Sequence, residues 1–293
     1  MASEIANVKV AIIGAGNMAR EHARVFADIP GVSLAGIHSR TRTHAEAVAR
    51  EFNIANICDS ADELYERTRA DLVVITVFEL AMKPVSVACF AYPWALLLEK
   101  PAGYNMQDAY EISAAADENG SKAYVALNRR CLSSTMAALD NLDLLGGPRF
   151  IRIQDQQDQA AALAAGQPPA VVENWMYANS IHVIDYFRIF GRGEPGRVEP
   201  ILPWNPRTPG TVVAKIEFDS GDVGLYEGIW NGPGPWAVSV STPERRWEMR
   251  PLEQACFQNK GERKLHSVEV HPWDREFKPG FRLQAEMAVK AAM

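Results

Sequence analysis

The sequence predicts an α/β protein, with a doubly wound parallel sheet first and then an α+β domain on an open, mostly antiparallel sheet. Three observations predict it. Up to Leu127, short β-branched apolar runs alternate with helical patterns, the mark of a parallel sheet covered on both faces. A glycine-rich turn follows the first of these runs at once. From Thr211 onwards, strands follow one another directly, with a hairpin turn at Asp219-Ser220-Gly221-Asp222. The expected domains are residues 1–127 and 128–293.

Val8 to Ile13 reads as a buried first strand. Gly14-Ala15-Gly16-Asn17-Met18-Ala19 follows, the G-x-G-x-x-A form of the dinucleotide fingerprint. Gly14 permits the tight turn, Gly16 lets the backbone approach a pyrophosphate, and Ala19 lets the helix pack closely on the strand. That helix runs from about Asn17 to Asp28, and its positive end, with Asn17 and Met18, faces the phosphates. This is a Rossmann start.

Val32 to His38 is the second strand. A site selective for NAD places Asp or Glu near its end, to bond the ribose 2′-hydroxyl. Here Ser39-Arg40-Thr41-Arg42-Thr43 stands instead. Ser39, Arg40 and Arg42 suit a 2′-phosphate, so NADP(H) is expected ahead of NAD(H), which stays possible.

Helices are expected from Thr43 to Phe52 and Asp62 to Thr68, then a strand from Asp71 to Val77 whose end sets Thr76 beside the cofactor. After a helix from Met82 to Tyr92, Ala95 to Leu98 is a strand buried on both faces, and Glu99 and Lys100 stand at its exit. Pro101 cannot continue the ladder. Ligands of open parallel sheets sit at these strand ends, which makes Lys100 a candidate acid or base. A helix from Asp108 to Asn119, closed by Gly120, and a strand from Lys122 to Leu127 complete the first domain.

In the second half, helices are expected over Cys131 to Leu145 and Trp175 to Phe190, with a strand at Phe150 to Gln154 between them. Asp155 to Pro169 is polar and reads as a long loop able to cover a site. Strands are expected at Thr211 to Phe218, Val223 to Trp230, Trp236 to Thr242, Arg246 to Pro251 and Val268 to His271. The last helix, Phe281 to Met293, carries no closing signal, which leaves open whether the natural chain continues.

The fingerprint, Glu99-Lys100-Pro101, Asn128-Arg129-Arg130 and His182-x-x-Asp185 together make a combination. It resembles the family of glucose–fructose oxidoreductase, inositol dehydrogenase and MocA (Gfo/Idh/MocA). The resemblance implies an oxidoreductase with a substrate-binding and oligomerising second domain, the substrate lying between the domains. It implies a sugar, nucleotide sugar or cyclitol as substrate, and a homodimer or homotetramer formed through the C-terminal sheet. Lys100 matches the family's proton-relaying lysine and His182 its partner histidine; these are the expected catalytic residues. Desolvation beside a cationic nicotinamide is expected to lower the lysine's pKa. Glu99 and Asn128 are expected at the cofactor, and Arg129, Asn179 and Asp185, with Lys100 and His182, at the substrate. One departure stands out: Ala178 occupies the position where the family often carries a catalytic Asp. A catalytically silent NAD(P)-binding regulator of the same fold is therefore the alternative.

Composition bounds the rest. A net charge of −6 gives no general attraction for nucleic acid or anionic membranes. No apolar run spans a bilayer, and Met1 to Val8 is too short and acidic for a signal peptide. The four cysteines form no CxxC pair and no zinc-ligand spacing, so no metal is expected. Four buried thiols in a reducing cytoplasm are the expectation.

Overall fold

The computed structural model describes residues 7–205 and 208–293 and divides into two compact units. One runs up to Asn128 and takes back Glu276–Met293; the other is Arg129–Arg275.

In the first unit, strands and helices alternate: β1 (Val8–Ile13), α1 (Asn17–Ala27), β2 (Val32–His38), α2 (Arg42–Phe52), β3 (Asn56–Cys58), α3 (Ala61–Thr68), β4 (Leu72–Ile75), α4 (Glu79–Cys89), β5 (Ala95–Glu99), α5 (Met106–Glu118) and β6 (Ala123–Ala126). The strands form one parallel sheet in the order β3-β2-β1-β4-β5-β6. The order reverses between β1 and β4, the switch point where such sheets bind ligands. Every residue of β4 and β5 is buried, which is why their sequences are unbroken apolar runs.

The C-terminal helix, Phe281–Ala292, belongs to this unit and not to a second domain running to Met293. Its Phe281, Ala285, Ala288 and Val289 form one helical face and join Val8, Phe26, Leu72 and Leu97 in a single core. Periodicity marks that face, but nothing local tells which sheet it covers.

The second unit contains α6 (Ser133–Leu142), β7 (Phe150–Gln157), α7 (Gln159–Ala164), α8 (Pro169–Glu173), α9 (Trp175–Ala178), α10 (Ile181–Ile184), α11 (Tyr186–Phe190), β8 (Pro195–Leu202), β9 (Thr211–Phe218), β10 (Val223–Trp230), β11 (Ala237–Ser241), β12 (Arg245–Met249), β13 (Ala255–Asn259) and β14 (His266–Ser267). The sheet order is β14-β13-β12-β11-β7-β10-β9-β8. Among the described residues, only the β7–β10 pair of this sheet is parallel. Leu142 of α6, Val183 of α10 and Tyr186 and Phe190 of α11 cover one face, packing with Ile151, Ile153 and Val238. The other face carries ion pairs such as Arg152–Glu227 and Arg246–Glu248.

Several expectations change. Asp155 to Pro169 is not one loop: β7 continues to Gln157, and α7 follows with Asp158 as its N-cap. Trp175 to Phe190 is three short helices rather than one. β3, β8 and β13 come in addition, and the strand expected at Val268 to His271 lies at His266–Ser267. β8 is exposed along its whole length, so it carries no alternation to find. Cys58, Cys89 and Cys131 are buried, whereas Cys256 is half-buried. Among the described residues, no helix is long and apolar enough to cross a membrane.

Candidate active site

Gly14 leaves β1 at φ +106°, and a Cβ there would lie 2.6 Å from Thr76 Oγ1 and 2.7 Å from its carbonyl oxygen. Thr76 in turn donates to the Ile13 carbonyl, through its amide at 2.7 Å and its hydroxyl at 3.2 Å. Its hydroxyl thus shapes the turn from behind. Gly16 differs: a Cβ there would meet nothing within 4 Å. Beside that open space, exposed Asn17 begins α1, whose first amides have no side-chain cap. Room for close backbone approach at a positive helix end suits a pyrophosphate, so these residues fit a dinucleotide. Ala19 is fully buried, and the Met18 sulfur accepts from Lys278 Nζ at 3.2 Å in the C-terminal segment.

At the end of β2, the Arg40 guanidinium lies 5.7 Å from the centre of the Phe78 ring. Arg42 is engaged elsewhere: it bonds Asp59, and its Nε donates to Glu46 at 3.2 Å. A turn that reads as purely basic is thus met by two carboxylates, one brought from the β3–α3 connection. Arg42 is neutralised in place, which leaves Ser39 and Arg40 as the groups suited to a 2′-phosphate.

At the end of β5, Glu99 is buried, with 6% of its surface exposed. Its Oε1 meets His22 Nε2 at 2.7 Å, and its Oε2 accepts from the Lys100 amide at 3.1 Å. Burial pushes this carboxyl up, but His22 and the charges of Lys100 and Lys278 outweigh it and hold Glu99 below the usual carboxylate range. Glu99 is therefore an anchor beneath Lys100, with both oxygens used inside the protein. Lys100 is half-buried at the strand exit, and the Lys100–Pro101 bond is cis. Asn128 also serves the fold: it is buried, and its Nδ2 donates to the Pro279 carbonyl at 2.9 Å.

In the second unit, His182 on α10 faces Trp236, ring centres 5.8 Å apart. The Arg129 guanidinium lies 5.9 Å from the same indole and pairs with Glu253. Asp185, between α10 and α11, does not stand open to a ligand: Arg130 takes both its oxygens, at 2.7 and 2.6 Å. Asn179, after α9, donates from Nδ2 to Gln157 Oε1 at 2.8 Å. Gln157 Nε2 donates to Asp155 Oδ1 at 2.6 Å, and the Tyr226 hydroxyl donates to Asp155 Oδ2 at 2.7 Å. Asp155 is 1% exposed, and burial raises its carboxyl against the pull of neighbours that include Tyr226 and Gln157. Ala178 is buried, 2% exposed. Gln157, Asp158, Trp175, Asn179 and Trp236 line a cavity of about 430 Å³.

Residues 8–127 match the model of the Gfo/Idh/MocA family, an oxidoreductase family with an NAD-binding Rossmann fold. The match lies within the N-terminal unit. The chain is 29% identical over 111 residues to trans-1,2-dihydrobenzene-1,2-diol dehydrogenase of Mus musculus, covering 37% of this chain and 33% of that protein. It is 26% identical over 125 residues to glucose-6-phosphate 3-dehydrogenase of Bacillus subtilis (strain 168), covering 43% and 35%. The chain thus spans about a third of the length of these curated relatives. The fold of the whole chain resembles a dehydrogenase from Chromobacterium violaceum, with a TM-score of 0.82 at 16% identity over 98% of this chain and 89% of that one.

Against the Gfo/Idh/MocA pattern, sequence reasoning singled out Lys100, His182 and Asn179 but missed the groups around them. His22 lies 77 residues from the Glu99 it holds. Trp236, Gln157 and Asp155 lie on the second sheet or beside it, and only the fold brings them to Asn179 and His182. One signal was present: Ile151, Ile153, Asp155 and Gln157 alternate on one buried face of β7, the last two polar.

Proposed function

We propose that the protein is an NADP(H)-preferring oxidoreductase that moves a hydride between the nicotinamide and a sugar, nucleotide sugar or cyclitol. The observation that carries this reading is Lys100 at the exit of β5, its amide held by the buried Glu99–His22 pair, in a unit whose Gly16 turn fits a dinucleotide. The curated relatives are named for oxidising a cyclic diol and a phosphorylated sugar, both CH–OH substrates. A bound nicotinamide supplies the hydride acceptor or donor at its ring carbon. Lys100 does the proton work: as a neutral amine it takes the hydroxyl proton as the carbinol carbon gives up hydride, and as an ammonium it returns that proton in reduction. His182 is assigned a supporting part in proton transfer, and Asn179 and Arg129 a part in substrate binding. Ser39 and Arg40 favour the 2′-phosphate. Copies of the chain associate through the second unit's sheet, which sedimentation of the purified protein tests by its mass.

Ala178 favours a second reading, a silent regulator that binds the cofactor and turns nothing over. Turnover across a panel of sugars, cyclitols and nucleotide sugars separates the two. An enzyme oxidises at least one with NADP⁺ and loses that activity in Lys100→Met. A regulator binds NADPH, turns over none, and binds unchanged in Lys100→Met.

A further inference from the structure

The cavity of the second unit carries a polarity that follows from one buried acid. Both oxygens of Asp155 accept, Oδ2 from the Tyr226 hydroxyl and Oδ1 from Gln157 Nε2. That fixes the Gln157 amide with its nitrogen towards Asp155 and its oxygen towards Asn179. The Asn179 amide is fixed in turn, because its nitrogen must donate to Gln157 Oε1. Asn179 lines the cavity, with its nitrogen turned to Gln157 and its carbonyl oxygen left as an acceptor.

Charge points the same way. Among the described residues, the cavity wall holds Asp158 and the amides of Gln156, Gln157 and Asn179 and contains no lysine or arginine. Arg129, which faces Trp236, is neutralised by Glu253, and Arg130 by Asp185. Trp175 and Trp236 supply apolar surface. Gly228 pairs across the sheet with Asp155, and a Cβ on it would come within 3.0 Å of the Tyr226 hydroxyl. The sheet thus leaves room for the phenol that holds Asp155.

We infer that this cavity selects an uncharged, hydroxyl-rich ring and rejects phosphorylated and nucleotide-linked ones, with Asp155 as the positioning residue that sets the Asn179 acceptor through Gln157. The inference rests on the oxidoreductase reading for its substrate and narrows it. A hydroxyl can donate to Asn179; a phosphate has acceptor oxygens and negative charge, and meets an acceptor backed by a carboxylate.

The test is calorimetric titration of the full chain, saturated with NADPH, with neutral pyranoses and cyclitols led by D-glucose and myo-inositol. Their monophosphate esters and UDP-glucose form the second arm. At least one neutral ring should bind, and its phosphate ester should bind more weakly by about tenfold or more. Asp155→Asn removes the charge and lets the amide chain reverse, so that Asn179 presents its nitrogen; the ratio of the two affinities should then shrink towards one. Asn179→Ala, at a half-buried position, should shrink it too by weakening the neutral ring, and it serves where Asp155→Asn fails to fold. A phosphate ester or UDP-glucose binding as tightly as its neutral counterpart overturns the inference, as does a panel in which no neutral ring binds or a ratio unmoved in both variants. A neutral ring that binds without turnover supports the inference and overturns the oxidoreductase reading. Turnover of a phosphate ester alone does the reverse.

Discussion

Arg40 and Arg42 stand two residues apart, and the fold gives them different work. Arg42 already bonds Asp59 and Glu46, so a 2′-phosphate must compete for it; Arg40, in the same turn, lies over the Phe78 ring. Arg40→Ala should weaken NADPH by about ten- to a hundredfold, the worth of a charge-assisted contact, and NADH much less. Arg42→Ala should cost NADPH less than Arg40→Ala does. Fluorescence titration with both cofactors measures this, and equal losses for NADPH and NADH in Arg40→Ala would remove the proposed preference. His22 is the matching case for stability. Taking it away leaves the Glu99 carboxylate buried and without its partner, which should cost about 3–5 kcal/mol in urea unfolding. The Glu99 carboxyl is held below its ordinary value in the fold, so its stabilisation is present above the usual carboxylate range and is lost as pH falls through the native value. The stability gap between the native chain and Glu99→Gln should therefore close on acidification; a gap constant with pH would show that Glu99 is not held as an anion.

The strand β7 shows what a sequence reveals about an element and what it hides. Phe150 to Gln154 was legible because Ile151 and Ile153 alternate with polar residues, but the same buried face continues through Asp155 and Gln157. Hydrophobic periodicity stops where the core turns polar, so the second half of the strand reads as loop. Partners that satisfy those polar groups, Tyr226 and Asn179, lie far along the chain and have no local signature. The parallel strands β1, β2, β4 and β5 were legible because each is mainly apolar. Lys100 and His182 were legible as candidates, but Glu99 as an anchor and Asp185 as the partner of Arg130 emerge only from the fold. Asp155 has the opposite pH sign to Glu99. Its carboxyl is raised by burial, so stability falls as pH rises from the ordinary carboxylate value through the raised one. On acidification the native chain should gain stability relative to Asp155→Asn, read from melting temperatures at two pH values; a loss instead would contradict the assignment. At the end of α9, Ala178 is buried, so Ala178→Asp should not restore a family-like acid but lower the melting temperature sharply, by forcing a carboxylate out of water. An unchanged melt would place that side chain in an open site.

At the scale of the molecule, the first unit is not a contiguous stretch of chain. It is closed by Phe281–Ala292, whose apolar face completes a core with Val8, Phe26 and Leu72. Ending the chain at Pro279 should strip that core and abolish cooperative unfolding of the Rossmann unit, whereas a helix that merely decorated the surface would leave the melt intact. The first unit carries the cofactor turn and Lys100, and the second carries His182 and the polar cavity. The most direct measurement is the rate of NADP⁺ reduction by the native chain and by Lys100→Met, on the best substrate from a panel of neutral sugars and cyclitols, with NADPH affinity measured alongside. Lys100→Met should keep the fold and the NADPH affinity and lose turnover by about 10²- to 10⁴-fold, the contribution of a positioned acid or base. Full activity in Lys100→Met would contradict the account.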